Sequence, residues 1–105
     1  MARIVISEFC RGSHVTRPDG ARLRSEIEKH WSDPLPVVLD FSGTRIASVS
    51  FFDEAIGLLA RAFPLDELTA RVRVESIDPS DRVLLNGIVT TRAKERGADV
   101  EGASA

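Results

Sequence analysis

Asp40, Ser42, Ser48, Ser50, Asp53 and Glu54 crowd one short stretch of the chain. Hydroxyls and carboxylates at this spacing suit three kinds of chemistry: capping a helix, carrying a phosphate, or pairing as acid and base. Ser50 stands where an amphipathic pattern begins, so it reads as a helix N-cap with Asp53 at the third helical position. That is a capping box, and such a cap stabilises by ~1 kcal/mol. The same position also suits modification, because a helix N-terminus offers unpaired N–H groups and a positive dipole end. Ser50, and Ser48 beside it, are therefore the phosphorylation candidates. A phosphate adds roughly -1.5 to -2 charges at pH 7. The helix dipole favours that charge, while Asp53 and Glu54 oppose it. Those two acids are neighbours in sequence, and adjacent helical residues point about 100° apart. They do not converge on one atom, and read as first-turn acids facing the dipole. Asp40 is a carboxylate inside an apolar strand, which needs hydrogen bonds to be tolerated there. Its expected role is structural, holding the loop 42–50.

No other residues assemble a reaction. His14 and His30 have no Cys, Asp or Glu at metal-ligand spacing, so no metal is expected. Cys10 follows an apolar run without a flanking base and reads as a buried structural thiol. Ser42-Gly43 is not a phosphate-cradling loop, since GxGxxG and GxxxxGK[ST] are absent. No serine sits in a Gly-x-Ser-x-Gly elbow. The chain is expected to be no enzyme and to use no cofactor.

These residues need a strand and a helix to position them. Val37 to Phe41 is a short, mostly apolar run between Pro36 and Ser42-Gly43, and predicts a buried strand. A helix is predicted from Ser50 or Phe51 to Phe63. Phe52, Ala55, Ile56, Leu59 and Phe63 share one face of it, and Pro64 ends it. Phe51 and Leu58 fall just off this stripe. A Phe at the edge of an apolar face, near a helix start, suits a partner anchor as well as it suits the core. The loop between strand and helix is where open α/β sheets place ligands and partners. The expected partner surface is thus Ser42, Gly43, Ser50, Phe51, Asp53, Glu54 and Leu58.

Arg3 to Phe9 predicts a first strand. Asp19 to His30 or Trp31 predicts a helix with a stripe of Leu23, Ile27 and Trp31. After a short connection from Leu65 to Thr69, Ala70 to Ile77 alternates like an edge strand. Asp78 as N-cap and Pro79 at the first helical position open a last helix, with Leu84, Leu85, Ile88 and Val89 on its apolar face. From Gly97 the tail GADVEGASA has no periodicity and predicts disorder. The expected organisation is one α/β domain over 1–96 and a tail over 97–105. The pattern is β-α-β-α-β-α, a mainly parallel sheet in strand order 1-2-3. Right-handed crossovers put the helices largely on one face. Val5, Val38 and Asp40 then lie on an open face, with room for a partner or a second copy.

Composition narrows the function. The chain has 105 residues and a net charge of -2, which does not favour nucleic acid. No apolar run approaches the roughly 20 residues of a membrane span, and the first residues lack a signal-peptide core. One cysteine fits a reducing compartment. A cytoplasmic protein is the expectation.

The segment VVLDFSG…IASVSFFDEAIGLLA resembles the STAS-like domains of unknown function. These carry a strand ending in Leu-Asp-Phe-Ser/x-Gly, a serine-containing loop, and a helix opening Phe-x-Asp-Glu. More distantly it is similar to the STAS domain of bacterial anti-sigma factor antagonists, and ESIDPSDRVLLNGI resembles the strand-to-helix stretch that follows in them. The resemblance implies a small non-enzymatic adaptor that binds a histidine-kinase-type ATPase or anti-sigma-like regulator, and partner switching by phosphorylation of a serine at Ser50. Where the antagonists read Asp-Ser-Ser-Gly, this chain reads Ser48-Val49-Ser50-Phe51. The alternative expectation is a small-ligand or nucleotide sensor using the same loop.

Overall fold

Val37, Val38 and Leu39 are each 0–1% exposed, and they form the strand on which the rest is laid. In the computed structural model, which describes residues 2–10 and 15–104 and the side chains up to residue 97, β2 (Val37–Asp40) lies between β1 (Arg3–Val5) and β3 (Val72–Glu75). All pairings are parallel, in the order β1-β2-β3. The register sets Ile4, Leu39 and Val74 side by side, with Val37 beside Val72. These residues face the core, which the helices complete. The opposite face carries Arg3, Val38 and Arg73 in one row and Val5, Asp40 and Glu75 in the next. The expected sheet order and one-sided helix layer are what the chain adopts. The face away from the helices, however, is not open at its centre. Val38, expected to be uncovered there, is 0% exposed, between Arg3 and Arg73 of the flanking strands, while Val5 and Asp40 are half-buried.

Several boundaries differ from the expectation. The first strand ends at Val5, not Phe9. A single helical turn follows, α1 (Ile6–Phe9), closed by the Cys10 N–H donating to the Ile6 carbonyl at 2.9 Å. Ile6 and Cys10 are both buried. In the helical turn, residues four apart lie on one side, so both side chains enter the core. Gly12, Ser13 and His14 lie outside the described residues. Helix α2 (Arg17–Lys29) starts before Asp19, because Thr16 and Asp19 form a capping box. It buries Leu23 and Ile27, and Trp31 beyond its end stacks on Phe63 at 4.6 Å.

The helix after β2 is continuous but not uniform: α3 (Val49–Phe52), a π segment (Asp53–Gly57) and α4 (Leu58–Ala62). The sequence accounts for the wide turn. Buried pairs recur at 51/52, 55/56 and 59/60, a period longer than the 3.6 residues of an α-helix. A π turn absorbs the drift and keeps every pair over the core.

Leu65–Arg71, expected as a connection running into a strand, is helix α5, and the strand begins only at Val72. Leu68 is buried, and the Thr69 hydroxyl donates to the Leu65 carbonyl at 3.0 Å. Helix α6 (Pro79–Ser104) is capped as expected by Asp78, which accepts from the Ser80 N–H at 2.9 Å. It continues through 97–104, where a disordered tail was expected. Gly97 lies in a run rich in Ala, Lys, Arg and Glu, which sustains the helix across it. The π segment is flanked by α2 and α6, so three helices form one layer over the core-facing side of the sheet.

Candidate docking surface

The loop from Phe41 to Ser48 leaves β2 with two residues in the left-handed region, Gly43 at φ 72° and Ala47 at φ 49°. Ala47 lacks the freedom of glycine, so its conformation must be imposed. Asp81, 1% exposed in the first turn of α6, imposes it. Its Oδ2 accepts from the Ile46 N–H at 2.6 Å and its Oδ1 from the Ala47 N–H at 2.8 Å. A buried carboxylate with both oxygens bonded to backbone is a strong anchor. Asp81 was absent from the sequence-based site. An acid three residues after an N-cap is so ordinary that its type and position give no signal of this contact.

The anchored loop delivers Ser48, and the helix starts there rather than at Ser50. The Ser48 Oγ accepts from the Phe51 N–H at 3.2 Å, so Ser48 is the N-cap. Ser50 lies half-buried within the first turn. The expected box of Ser50 and Asp53 does not form, because Asp53 is engaged elsewhere. Val49, between the two serines, is 56% exposed.

Phe51 is corrected as a partner anchor. It is 0% exposed and packs edge-on against Phe52 at 5.8 Å. Leu58 is half-buried, while Ser42 and Gly43 are exposed. The exposed apolar side chain of this surface is therefore Val49, one the sequence stripe did not single out. Asp40, expected to hold the loop 42–50, contacts the first residue of that stretch and a neighbouring strand. Its Oδ1 accepts from the Ser42 N–H at 2.9 Å and its Oδ2 from Arg3 at 3.0 Å. Its carboxyl is held below the usual range, first by the Ser42 hydroxyl and N–H and then by Arg3.

Asp53 and Glu54 point apart, as expected for adjacent helical residues, and each meets arginine. Asp53 takes a two-pronged contact from Arg92 of α6, at 2.8 Å from Nε and 2.7 Å from Nη2. Glu54 accepts from Arg24 of α2 at 2.6 Å and from Arg17 at 2.8 Å. Arg24 also donates to the Glu54 carbonyl. Hydrogen bonds from Arg92 lower the Asp53 pKa, and those from Arg24 and then Arg17 lower that of Glu54. Both acids are thus ionised and balanced by cations. Their expected opposition to a phosphate on Ser48 or Ser50 is correspondingly reduced.

Two depressions adjoin this surface. A cleft of about 390 Å³ lies at the carboxyl ends of β2 and β3, lined by Phe41, Gly43, Thr44, Arg45, Ser76 and Asp78 among others. A more apolar groove of about 630 Å³ runs between the central helix and α6, with Val49, Val83, Leu84, Gly87 and Ile88 in its lining. Cys10 is buried, and burial pushes its thiol pKa up. Among the described residues no group of three His, Cys, Asp or Glu is placed to hold a metal. Nor is any described helix long and apolar enough to cross a membrane.

Residues 19–82, from the first turns of α2 to the first turn of α6, match the family described as STAS-like domain of unknown function (DUF4325). No curated protein and no solved structure matches the chain.

Proposed function

Because this chain belongs to the family of STAS-like domains of unknown function, we propose that it is a non-enzymatic signalling adaptor of the anti-sigma-factor-antagonist type. It docks on an ATPase or serine-kinase-like regulator through the loop and the helix start, and phosphorylation of Ser50 or Ser48 controls the docking. The observation that carries this reading is the shelf Ser48-Val49-Ser50. An exposed valine stands between two hydroxyls at a helix N-terminus, and Asp81 holds the loop behind it. An apolar contact ringed by modifiable hydroxyls suits a partner that must be released on demand.

A crosslinkable residue at position 49, used in the protein's own cells, identifies the partner, and affinity for that protein is then measured. Val49→Asp and Ser50→Glu are each expected to weaken binding about tenfold or more. Capture of a protein without an ATPase domain, or equal affinity of both variants and the wild type, overturns the reading.

The second reading is a small-ligand or nucleotide sensor, and the cleft beside Arg45 and Ser76 favours it. A thermal shift with nucleotides and phosphorylated metabolites, without any protein partner, tests it. Absence of a shift at millimolar ligand removes it.

A further inference from the structure

Both edges of the sheet are unpaired among the described residues. An edge strand offers free N–H and C=O groups, and proteins guard such edges with charge. The β1 edge is guarded in this way: Arg3, Glu8, Arg22 and Glu26 line the depression beside it. The β3 edge is not. The Phe41 N–H donates to the Glu75 carbonyl at 3.0 Å, so Glu75 and, two residues back, Arg73 turn their backbone groups toward β2. Val72 and Val74 turn theirs outward. The Val72 N–H is taken by the Leu68 carbonyl of α5. The Val74 N–H and carbonyl have no partner among the described residues.

Beside Val74, on the core side of the strand, lies an apolar groove of about 200 Å³ between α5 and α6. Buried Ile56, Leu68 and Leu85 lie against it, and Leu65, 42% exposed, stands at its rim. The one charged side chain among its described lining residues is Arg82. Arg82 is exposed and its guanidinium has no acid partner among the described residues. Asp78, one turn before it, is spent on the helix cap, accepting from the Ser80 N–H at 2.9 Å. Unpaired backbone, an apolar groove and a lone cation thus adjoin on one edge.

We propose that this edge binds an extended, acidic peptide segment of a partner protein, which adds to the sheet as a further strand beside Val74. Backbone pairing then gives affinity, and the groove gives specificity for alternate side chains. The peptide residue opposite Val74 points to the same side as Val74. An apolar side chain there enters the groove, which is larger than the ~150 Å³ cavity that accepts benzene. Three residues separate β3 from α6, so Arg82 stands toward the carboxyl end of the strand. The peptide residue two positions further along shares the face of the first, and an acid there meets Arg82. The recognised pattern is an apolar residue and an acid with one residue between them. A second copy of the chain does not supply it. Its β3 carries Glu75 on the face away from the groove, already bonded to Arg3 at 2.9 Å. This edge shares no residue with the shelf Ser48-Val49-Ser50, so the proposal is independent of the docking reading.

Selection of displayed random peptides of about ten residues against the full chain tests it, followed by NMR titration of the enriched peptide. The enriched peptides are expected to share the apolar-x-acid pattern. Binding is expected to shift the amides of β3, α5 and α6 and to slow hydrogen exchange of the Val74 N–H about tenfold or more. Arg82→Glu, at an exposed and unpaired position, is expected to leave the melting temperature unchanged and to weaken binding about tenfold. Replacing the peptide's acid by lysine is expected to restore binding to that variant. N-methylation of the peptide residue opposite Val74 removes backbone pairing without touching the protein, and is expected to weaken binding about tenfold as well. Failure to enrich any such peptide, shifts confined to other parts of the chain, or equal affinity for Arg82→Glu and for the methylated peptide overturns the proposal. So does self-association of the chain that hides Val74, which would assign the edge to a second copy.

Discussion

The two flanks of the central helix are built from the same parts and close differently. Toward α2, Gly20 lets the backbones meet, and Arg24, one turn further on, reaches Glu54. Toward α6, Gly57 lets Ile88 in, and Arg92, one turn beyond Ile88, reaches Asp53. Each flank thus pairs a notch with an ionic latch. On the α2 flank Leu23 and Ile27 are fully buried. On the α6 flank Leu85 is the one buried apolar side chain among the described residues, Leu84 and Ile88 are half-buried, and an apolar groove remains. Apolar packing secures the first flank. The second relies more on charge, Asp81 at one end and Asp53–Arg92 at the other.

If that contrast is right, the α6 flank should fail first when its charges are removed. Asp81→Ala leaves the Ile46 and Ala47 N–H groups without their acceptor. Its expected cost is about 2–4 kcal/mol by denaturant unfolding, from one buried and one part-buried donor left unpaired. A cost below ~1 kcal/mol would show that water or another group replaces it. Next in size is Arg92→Ala, expected to cost about 1–3 kcal/mol because the cation left to Asp53 among the described residues is Arg17, at 3.9 Å. Arg24→Ala should cost less, ~1 kcal/mol or under, because Arg17 still holds Glu54 at 2.8 Å. Equal costs for the two arginines would erase the difference between the flanks.

The smallest effect is the pH dependence. Arg92 lowers the Asp53 pKa below its ordinary 3.8. The stability from this pair is therefore full above the ordinary value and is lost as pH falls through the lower folded value. The difference between wild type and Asp53→Asn should be flat above about pH 5 and shrink below about pH 4. A difference that persists unchanged to about pH 2 would assign the effect to packing.

How far these features were legible depends on how far apart their partners lie. Val37–Asp40, the central helix and Asp78 as a cap are set by neighbours within a few residues, and their types announced them. Ser48 and Ser50 compete for one cap only two positions apart, and the pattern Ser50-x-x-Asp53 favoured the wrong one. What sets Ser48 in place is Asp81, 34 and 35 positions from the loop residues it holds, and what draws Asp53 away is Arg92, 39 positions from it; neither is visible to local spacing. Phe51 was ambiguous for the same reason. A single helical stripe leaves it at the margin, while the π turn brings it fully inside. Leu65–Arg71 was missed because Thr69-Ala70-Arg71 joins the strand alternation without a break. The Thr16-x-x-Asp19 box sets the start of α2 two residues before the expected Asp19, because Pro18 fits the first turn of a helix as well as it fits a turn outside one.

On the other side of the sheet, Arg3 reaches from β1 to Asp40 on β2 at 3.0 Å and to Glu75 on β3 at 2.9 Å. These contacts span 37 and 72 positions of sequence. During synthesis Arg3 emerges early, yet it cannot make both bonds until the chain has grown past Glu75. The β1–β2 pairing and the Arg3–Asp40 bond need only the chain through residue 40, whereas the Arg3–Glu75 bond waits on β3, so the clamp across all three strands is the longest-range contact of the sheet.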